Sequence, residues 1–467
     1  MNSLGKNAAF SLLYRVGNVV FPLISGMYLA RVLAPEGIGQ VAAARNTMSY
    51  FLLLAAMGIP QYAVREVARH REDTEALGKL VSELLALHLT AGIISLGVYV
   101  LFVGLCLPGE KLLYWIFSLE LIFQLCNIEW LFEGREEYRF IALRSLAVRI
   151  LSLAALVILV RSPADVPRYA LILCFGTGGN HLLNVLQAKV KLTCRGLQPG
   201  QHLGPVLTLM LSGLAASLYS KVDISMLHLL SDAAAVGYYT TAYKVIGLVL
   251  TVMTALSAVY FPRLSRSSRL EFARYLSEAL TILLVLTVPG TVGLMLVAED
   301  LTAVLFGTEF LPSAAALRIM APMILIRGCG DLLCYQAIIS TGEEKRLIGA
   351  RIRAGIANMA LNALLIPKLG HVGASLATLV SEAVVNGILL PHGLRLGRPR
   401  ISKKLPGRLL VATAVMAAAV VTIQTVVDGR LLSLILSVIG GGAVYICCLG
   451  KEIIKKCTEV YNGTEKQ

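Results

Sequence analysis

The sequence has few charged residues for its length. Of its 467 residues, only 15% are Asp, Glu, Lys or Arg, whereas an average soluble domain has about 25%. Hydrophobic residues make up 57% of the chain, and the mean hydropathy is +0.74. A chain this apolar cannot cover a water-soluble globule with polar side chains. The composition therefore indicates a membrane protein, built from helices or from a closed barrel.

The sequence also lacks the common signatures of catalysis and metal binding. It contains no P-loop, GxSxG or HExxH motif, and its nine cysteines show no CxxC spacing. Several of these cysteines lie inside apolar runs, where they are interpreted as small hydrophobic residues. The sequence thus predicts neither an enzyme nor a metal site, and it indicates no cofactor.

Long apolar runs account for most of the chain. They are continuous rather than alternating, which favours α-helices over a barrel. At roughly 20 residues for each crossing, about fourteen spans are predicted. The first is too long for a signal peptide and contains Arg15, so it is interpreted as a retained helix. The predicted spans lie near 8–32, 39–60, 80–107, 112–132, 140–160, 169–188, 205–230, 237–261, 276–298, 315–340, 347–366, 372–394, 409–427 and 431–449.

The net charge of +14 is concentrated between these spans. If the N-terminus is cytoplasmic, the cytoplasmic loops and tails hold 29 Lys and Arg residues, and the outer loops hold 7. This asymmetry predicts an even number of spans with both termini in the cytoplasm. The charge is therefore attributed to membrane orientation and not to nucleic-acid binding. The outer-loop cations are Arg31, Lys111, Arg161, Arg168, Arg318, Lys368 and Arg430.

A weak internal repeat divides the chain. The segment LAPEGIGQVAAARN begins at Leu33, and LSDAAAVGYYTTAYK begins at Leu230. Each places a glycine at the start of a helix and a cation, Arg45 or Lys244, further along it. We therefore predict a six-helix bundle over 1–196, a second over 197–400, and two additional helices with a basic cytoplasmic tail over 401–467.

Three segments resemble one family of transporters. They are YRVGNVVFPLISGMYLARVLAPEGIGQVAAARN (Tyr14–Asn46), LTAVLFGTEFLPSAAALRIMAP (Leu301–Pro322) and ANMALNALLIPKLGHVGASLATLVSE (Ala357–Glu382). The chain thereby resembles the bacterial O-antigen and capsule flippases (the Wzx type) of the multidrug/oligosaccharidyl-lipid/polysaccharide exporter superfamily.

The resemblance implies an all-α, polytopic membrane protein with two six-helix bundles around a central cavity that opens alternately to each face. It further implies that a polyprenyl-diphosphate-linked oligosaccharide moves from the cytoplasmic to the outer leaflet of a bacterial inner membrane. Membrane lipids and polysaccharide polymerase machinery are the expected partners, and a monomer is the expected working form.

Cations within apolar runs are the first candidates for a binding site, because ionisable groups inside a membrane are costly and are usually functional. A diphosphate would be bound by the planar fork of arginine and the compact charge of lysine. In the alternative interpretation, Arg15 extends to the inner interface, Arg45 anchors the outer interface, and Arg327 pairs with Asp331. The candidate cavity cations are Arg15, Arg45, Arg149, Lys221, Lys244 and Arg327.

Acidic residues within the spans are candidates for coupling transport to an ion or a proton. They are Glu120, Asp223, Asp331 and Glu382. Export of an anion driven by the membrane potential alone is an alternative that needs none of them. Tyr238, Tyr239 and Tyr243 are interpreted as part of an aromatic belt at the outer interface.

Three other functions differ in how well they fit the sequence. A multidrug antiporter of the same superfamily needs an anionic cavity, and the surplus of cations argues against it. A peptidoglycan-precursor flippase fits the sequence as well, although the local motifs favour the O-antigen and capsule type. A polymerase, ligase or glycosyltransferase needs a large extramembrane domain, and the longest outer stretch, near 299–313, is short and is predicted to form an amphipathic helix at the interface.

Overall fold

The structure, a computed structural model, describes residues 3–107, 109–341, 343 and 345–450, with the backbone alone for 3–20, 215, 216, 218, 219, 258, 266 and 269. The side chain of Arg15 and the predicted tail, 451–467, therefore lie outside the described residues. The part of the chain that is described contains no β-strand. The predicted all-α class is confirmed.

Sixteen α-helices form over these residues. They are α1 (Ser3–Ala56), α2 (Ile59–His70), α3 (Thr74–Leu105), α4 (Leu112–Gln124), α5 (Glu129–Gly134), α6 (Tyr138–Leu159), α7 (Val166–Gln187), α8 (Gly200–Leu230), α9 (Ala233–Arg266), α10 (Arg269–Phe306), α11 (Pro312–Met320), α12 (Met323–Gly330), α13 (Ala337–Ser340), α14 (Lys345–Gly397), α15 (Leu405–Val426) and α16 (Arg430–Leu449).

Eight helical stretches within the described residues are long and apolar enough to cross a membrane. This confirms a polytopic membrane protein but does not confirm the predicted number of fourteen spans. Two of the eight are interrupted, because α1 breaks at Ala34 (φ 57°) and α14 at Gly370 (φ 54°). The first break precedes Pro35, which disfavours helical backbone at the residue before it. Both breaks fall between consecutive predicted spans, 8–32 and 39–60 for Ala34, and 347–366 and 372–394 for Gly370.

Elsewhere the helices depart from the predicted spans. The span predicted over 315–340 consists of α11, α12, a π-helical turn at Asp331–Gln336, and α13. Pro322 lies between α11 and α12 and cannot donate the backbone hydrogen bond of a continuous helix. The first part of the stretch predicted as an amphipathic helix, near 299–313, is the end of α10, which continues to Phe306, and Phe310 is fully buried. Its position at the interface stays a prediction.

The chain divides into two compact units, Met1–Ser225 and Met226–Gln467. In the first unit, α1 packs against α3, α4 and α6, and α7 packs against α4 and α6. A second core joins α2, α3 and α5 around the buried side chains of Trp130, Leu131 and Phe132. The three sequence modules, 1–196, 197–400 and 401–467, stay predictions.

In the second unit, α9, α10, α11, α12 and α14 pack together, and α15 and α16 lie against α10. Buried side chains that include Leu409, Met416 and Leu434 form the core between these last three helices. The Tyr445 hydroxyl on α16 donates to the carbonyl of Val285 on α10 at 2.8 Å. Apolar packing and this hydrogen bond therefore hold the two last helices on the unit.

The connection between α7 and α8 is held on the surface of α3 by a set of hydrogen bonds that we call the linker clamp. Ser82 Oγ accepts from the backbone N–H of Thr193 at 3.0 Å, and Glu83 Oε1 accepts from that of Gln198 at 2.8 Å. The other Glu83 oxygen lies 3.0 Å from His202 Nε2. Because Glu83 is only 2% exposed, these partners satisfy a carboxylate that would otherwise be costly to bury. The clamp fixes the start of α8 on α3.

Gly78 provides the first test of the clamp, because a Cβ atom there would lie 2.3 Å from the carbonyl oxygen of Lys191. We expect Gly78→Ala to displace the connection and to lower the free energy of unfolding by about 1–3 kcal/mol. Gly97→Ala on the same helix is the matched control, since nothing lies within 4 Å of its Cβ position. Alanine favours helix over glycine by about 1 kcal/mol, so the control should be neutral or stabilising.

The measurement is thermal unfolding of the detergent-solubilised protein, followed by intrinsic fluorescence. Equal shifts in Tm for the two variants would contradict close contact between α3 and the connection.

Candidate functional site

Two of the predicted cations lie near each other in the first unit. Lys221 on α8 donates from Nζ to Ser49 Oγ on α1 at 2.9 Å. Arg45 lies one helical turn from Ser49 and close enough to Lys221 for their charges to interact. The Asn46 side chain joins the two helices, because its amide donates to the Lys221 carbonyl at 3.1 Å and to Ser225 Oγ at 2.8 Å. We call Arg45, Asn46, Ser49, Lys221 and Ser225 the cationic cluster.

A buried carboxylate lies beside this cluster. Glu120 Oε1 on α4 is 3.4 Å from Arg45 Nε, and the two side chains are 2% and 45% exposed, respectively. The arginine therefore covers the acid while part of its guanidinium stays accessible. The accessible part of this guanidinium, near the ammonium of Lys221, suits a phosphate or another anion. The structure thus brings together three of the predicted residues: Arg45, Glu120 and Lys221.

The second unit contains a similar pair. Arg327 Nη1 on α12 lies 3.6 Å from Glu382 Oε1 on α14, with side-chain exposures of 41% and 8%. Tyr243 and Tyr335 flank the guanidinium. Tyr239 stacks on Tyr243 with the ring centroids 5.9 Å apart, and it is only 2% exposed. The interpretation of Tyr239 as part of an interfacial belt is therefore wrong, and the residue belongs to the interior.

Asp331 has a different partner from the one that its spacing suggested. Its carboxylate accepts a hydrogen bond from Gln336 at 3.1 Å, within the π-helical turn. Arg327 instead reaches Glu382 on another helix. Single π-turns are rare and occur often at functional sites, so this turn marks the surroundings of Arg327 as a second candidate site.

The remaining candidates are more scattered. Asp223 is buried on α8, two residues from Lys221, while Arg149 is half-buried on α6 and Lys244 is exposed on α9. All three make polar or electrostatic interactions. Their roles in a common cavity stay predictions.

Arg144 is a buried charge that the sequence analysis missed. It is one of the 29 cations that the sequence pattern assigns to the cytoplasmic loops and tails, but it lies on α6 and is only 5% exposed. Its guanidinium lies 3.2 Å from Glu129 Oε1, donates to Asn184 Oδ1, and stands over the ring of Phe140. Asn184 lies within an apolar run, and this polar residue was the available sign that a charged partner faces α7.

With this geometry established, comparison with known proteins gives the family. The family model described as "Polysaccharide biosynthesis protein" matches residues 4–268, more than half of the chain. The chain belongs to this polysaccharide biosynthesis family. The predicted resemblance to polysaccharide flippases is thereby confirmed.

Two curated relatives of this chain are consistent with this assignment. It is 21% identical to the "Putative O-antigen transporter" of Escherichia coli K12 over 408 residues, which cover 83% of this chain and 96% of the relative. It is 25% identical to the "Probable low-salt glycan biosynthesis flippase Agl15" of Haloferax volcanii over 247 residues, which are 50% of this chain and 51% of that protein.

Among solved structures, this chain is similar to "Lipid II flippase MurJ, inward closed conformation". The TM-score is 0.75 at 16% sequence identity, and the match covers 94% of this chain and 98% of the other. At this identity the likeness concerns the fold alone.

The pair of Arg45 with Glu120 generates a second prediction. Arg45→Ala should destabilise the protein by about 1–3 kcal/mol, because it removes the partner of a buried carboxylate. Glu120→Gln keeps the shape of the side chain but removes its charge, so adding Arg45→Ala to this variant should cost less. Thermal unfolding of the two single variants and the double variant measures the coupling, which we expect to exceed about 0.5 kcal/mol.

A surface ion pair supplies the control for this cycle. Arg318 and Glu299 are 2.8 Å apart, but their side chains are 43% and 58% exposed. The same cycle on this pair should give a coupling close to zero, because water screens exposed pairs. If Arg45 and Glu120 couple no more strongly than this pair, their contact does not stabilise the fold.

Proposed function

We propose that this protein is a flippase that moves a polyprenyl-diphosphate-linked oligosaccharide from the cytoplasmic to the outer leaflet of a bacterial inner membrane. Membership of the polysaccharide biosynthesis family and the names of its relatives support the class of substrate. The observation that carries the proposal is the cationic cluster, which lies on helices that are otherwise apolar.

The cluster has the chemistry that a diphosphate requires. The exposed part of Arg45 offers N–H donors in a planar fork, and Lys221 offers a compact charge supported by Ser49. Glu120 pairs with Arg45, whereas Lys221 donates to a hydroxyl, so both side chains keep donors that an anion can use. Hydrogen bonds to charged groups are each worth about 1.5–3 kcal/mol, and this is enough for the cluster to dominate recognition of the head group.

We further propose that Arg15, Arg149, Lys244 and Arg327 line the same cavity between the bundles 1–196 and 197–400, with alternating access to the two faces. Glu120, Asp223, Asp331 and Glu382 then remain candidates for ion or proton coupling. In this proposal the protein works as a monomeric transporter and not as an enzyme, both termini are cytoplasmic, and the flipped lipid passes to polymerase machinery.

A multidrug cation antiporter is the competing function. Its cavity would need accessible negative charge, whereas Glu120 and Glu382 are both buried and both paired with arginine. These pairings support transport of an anion over transport of an organic cation.

Leaflet exchange tests the proposal. The purified protein is reconstituted in liposomes with a fluorescent, short-chain polyprenyl-diphosphate oligosaccharide, and a membrane-impermeant quencher reports the lipid in the outer leaflet. We expect Arg45→Ala, Lys221→Ala and Lys244→Ala each to slow exchange by tenfold or more. Arg45→Lys should retain part of the activity, because it keeps the charge but loses the planar fork.

Lys111→Ala is the matched control, because this partly exposed lysine lies outside the cluster, where it donates to the nearby carbonyl of Gly104. It should exchange lipid at the wild-type rate. If the wild-type protein exchanges no lipid but exchanges an organic cation against protons or sodium, the protein is an antiporter and the proposal fails.

A further inference from the structure

An apolar groove lies in the first unit, at a distance from the cationic cluster but on two of the same helices. Its volume is about 330 Å³, at the lower end of the roughly 300–1,000 Å³ found for ligand pockets. Helices α1, α3 and α8 form its walls. The residues that line it include Leu54, Met57, Ala91, Ile94, Leu203 and Met210.

The groove is suited to hydrocarbon. Its two hydroxyl-bearing residues are satisfied within the protein, because Ser95 donates to the Phe51 carbonyl and Thr90 to that of Ala86, each at 2.7 Å. Neither hydroxyl proton is therefore free to donate to a polar ligand. Ile94, at 61% exposure, stands at the open side of the groove, so a chain can enter from the surrounding lipid.

The lining residues on α3 are spread along the helix. They run from Leu87 to Val98, which is about 16 Å at a rise of 1.5 Å per residue. A hydrocarbon chain extended along α3 would contact these residues in turn.

The groove and the cationic cluster lie along the same pair of helices. From Ser49 to Met57 on α1, and from Lys221 to Met210 on α8, the two are separated by roughly 12–16 Å of helix. The turn after α1 approaches α8 near the groove, since a Cβ atom on Gly58 would lie 2.6 Å from the Val206 carbonyl oxygen. The side chains of α1 and α8 are thus cationic at the cluster and apolar at the groove.

We infer that the groove binds the isoprenoid chain of a polyprenyl diphosphate whose head group lies at the cationic cluster. This inference rests on the proposed function and adds a place for the lipid tail. Charge and chain number together favour this occupant over an ordinary phospholipid. The cluster offers an accessible guanidinium and a lysine to an anionic head group, and a polyprenyl diphosphate brings a single chain to a groove of this volume, whereas a phospholipid brings two.

Photo-crosslinking tests the inference on the full-length protein in vesicles of phosphatidylethanolamine and phosphatidylglycerol. One probe is a polyprenyl diphosphate with a diazirine in its isoprenoid chain, and the other is phosphatidylglycerol with a diazirine in an acyl chain. We expect the first probe to label α3 between Leu87 and Val98. Unlabelled polyprenyl diphosphate should suppress this labelling, and an excess of phosphatidylglycerol should not.

Filling the groove should abolish the labelling. Ala91→Phe is expected to reduce it at least fivefold, and Thr90→Phe, at an exposed position on the same wall, provides a second variant should the first fail to fold. Ile93→Phe is the matched control, because Ile93 is 61% exposed on the same helix and does not line the groove. It should label as the wild type does.

Equal labelling by the phosphatidylglycerol probe, or wild-type labelling of Ala91→Phe, overturns the inference and makes the groove an ordinary lipid contact. Leaflet exchange in the same vesicles separates the two proposals. If Ala91→Phe is labelled like the wild type while Arg45→Ala loses lipid exchange, the inference about the groove is contradicted and the proposed flippase function is supported. If the wild type is labelled in the groove but exchanges no lipid, the proposed flippase function is contradicted and the groove is still supported as a binding site.

Discussion

The cost of holding charge within apolar helices is the constraint on which this structure depends. An isolated carboxylate in hydrocarbon would be strongly destabilising, so a buried acid needs a partner. Each unit meets this need with an arginine from another helix, Arg45 for Glu120 and Arg327 for Glu382. In both pairs the acid is buried and the arginine is partly exposed. The pairing that makes the acid tolerable also holds a guanidinium at an accessible surface, where it can meet an anion.

The first unit combines this charge with an apolar surface. A lipid-linked oligosaccharide is itself amphipathic, with a charged diphosphate between a polar sugar and a hydrocarbon chain. The side chains of α1 and α8 follow the same order, because the cationic cluster lies beyond the end of the apolar groove. Two binding elements on the same two helices would select the linkage between the head group and the tail, while leaving the sugar unspecified.

Much of the fold could be predicted because membrane helices are recognisable from their apolar composition and their length. The all-helical class and the breaks near Ala34 and Gly370 follow from apolar runs and from turn residues. Interruptions inside an apolar run were harder to predict, since the π-turn after Gly330 and the gap at Pro322 leave hydropathy unchanged. Hydropathy detects a crossing but does not detect a local change of helical register.

The site could be predicted in part. An ionisable residue in an apolar run is conspicuous, so Arg45, Glu120 and Lys221 were found one by one. Their pairing was not found, because sequence spacing reveals neighbours on one helix only and the true partners lie on different helices. For the same reason, spacing along one helix predicts Asp331 as the partner of Arg327, whereas the observed partner, Glu382, lies on another helix. It also gives no sign that Arg144, near a basic loop, faces partners on α5 and α7.

The hydrogen bonds of α8 suggest how the head and tail sites stay in register. The linker clamp fixes the start of α8 on α3 through Glu83 and His202, and Asn46 fixes its later part on α1. Held at two points, the helix cannot slide along its axis without breaking a buried carboxylate contact or exposing an amide. The cationic cluster and the groove should therefore move as one body.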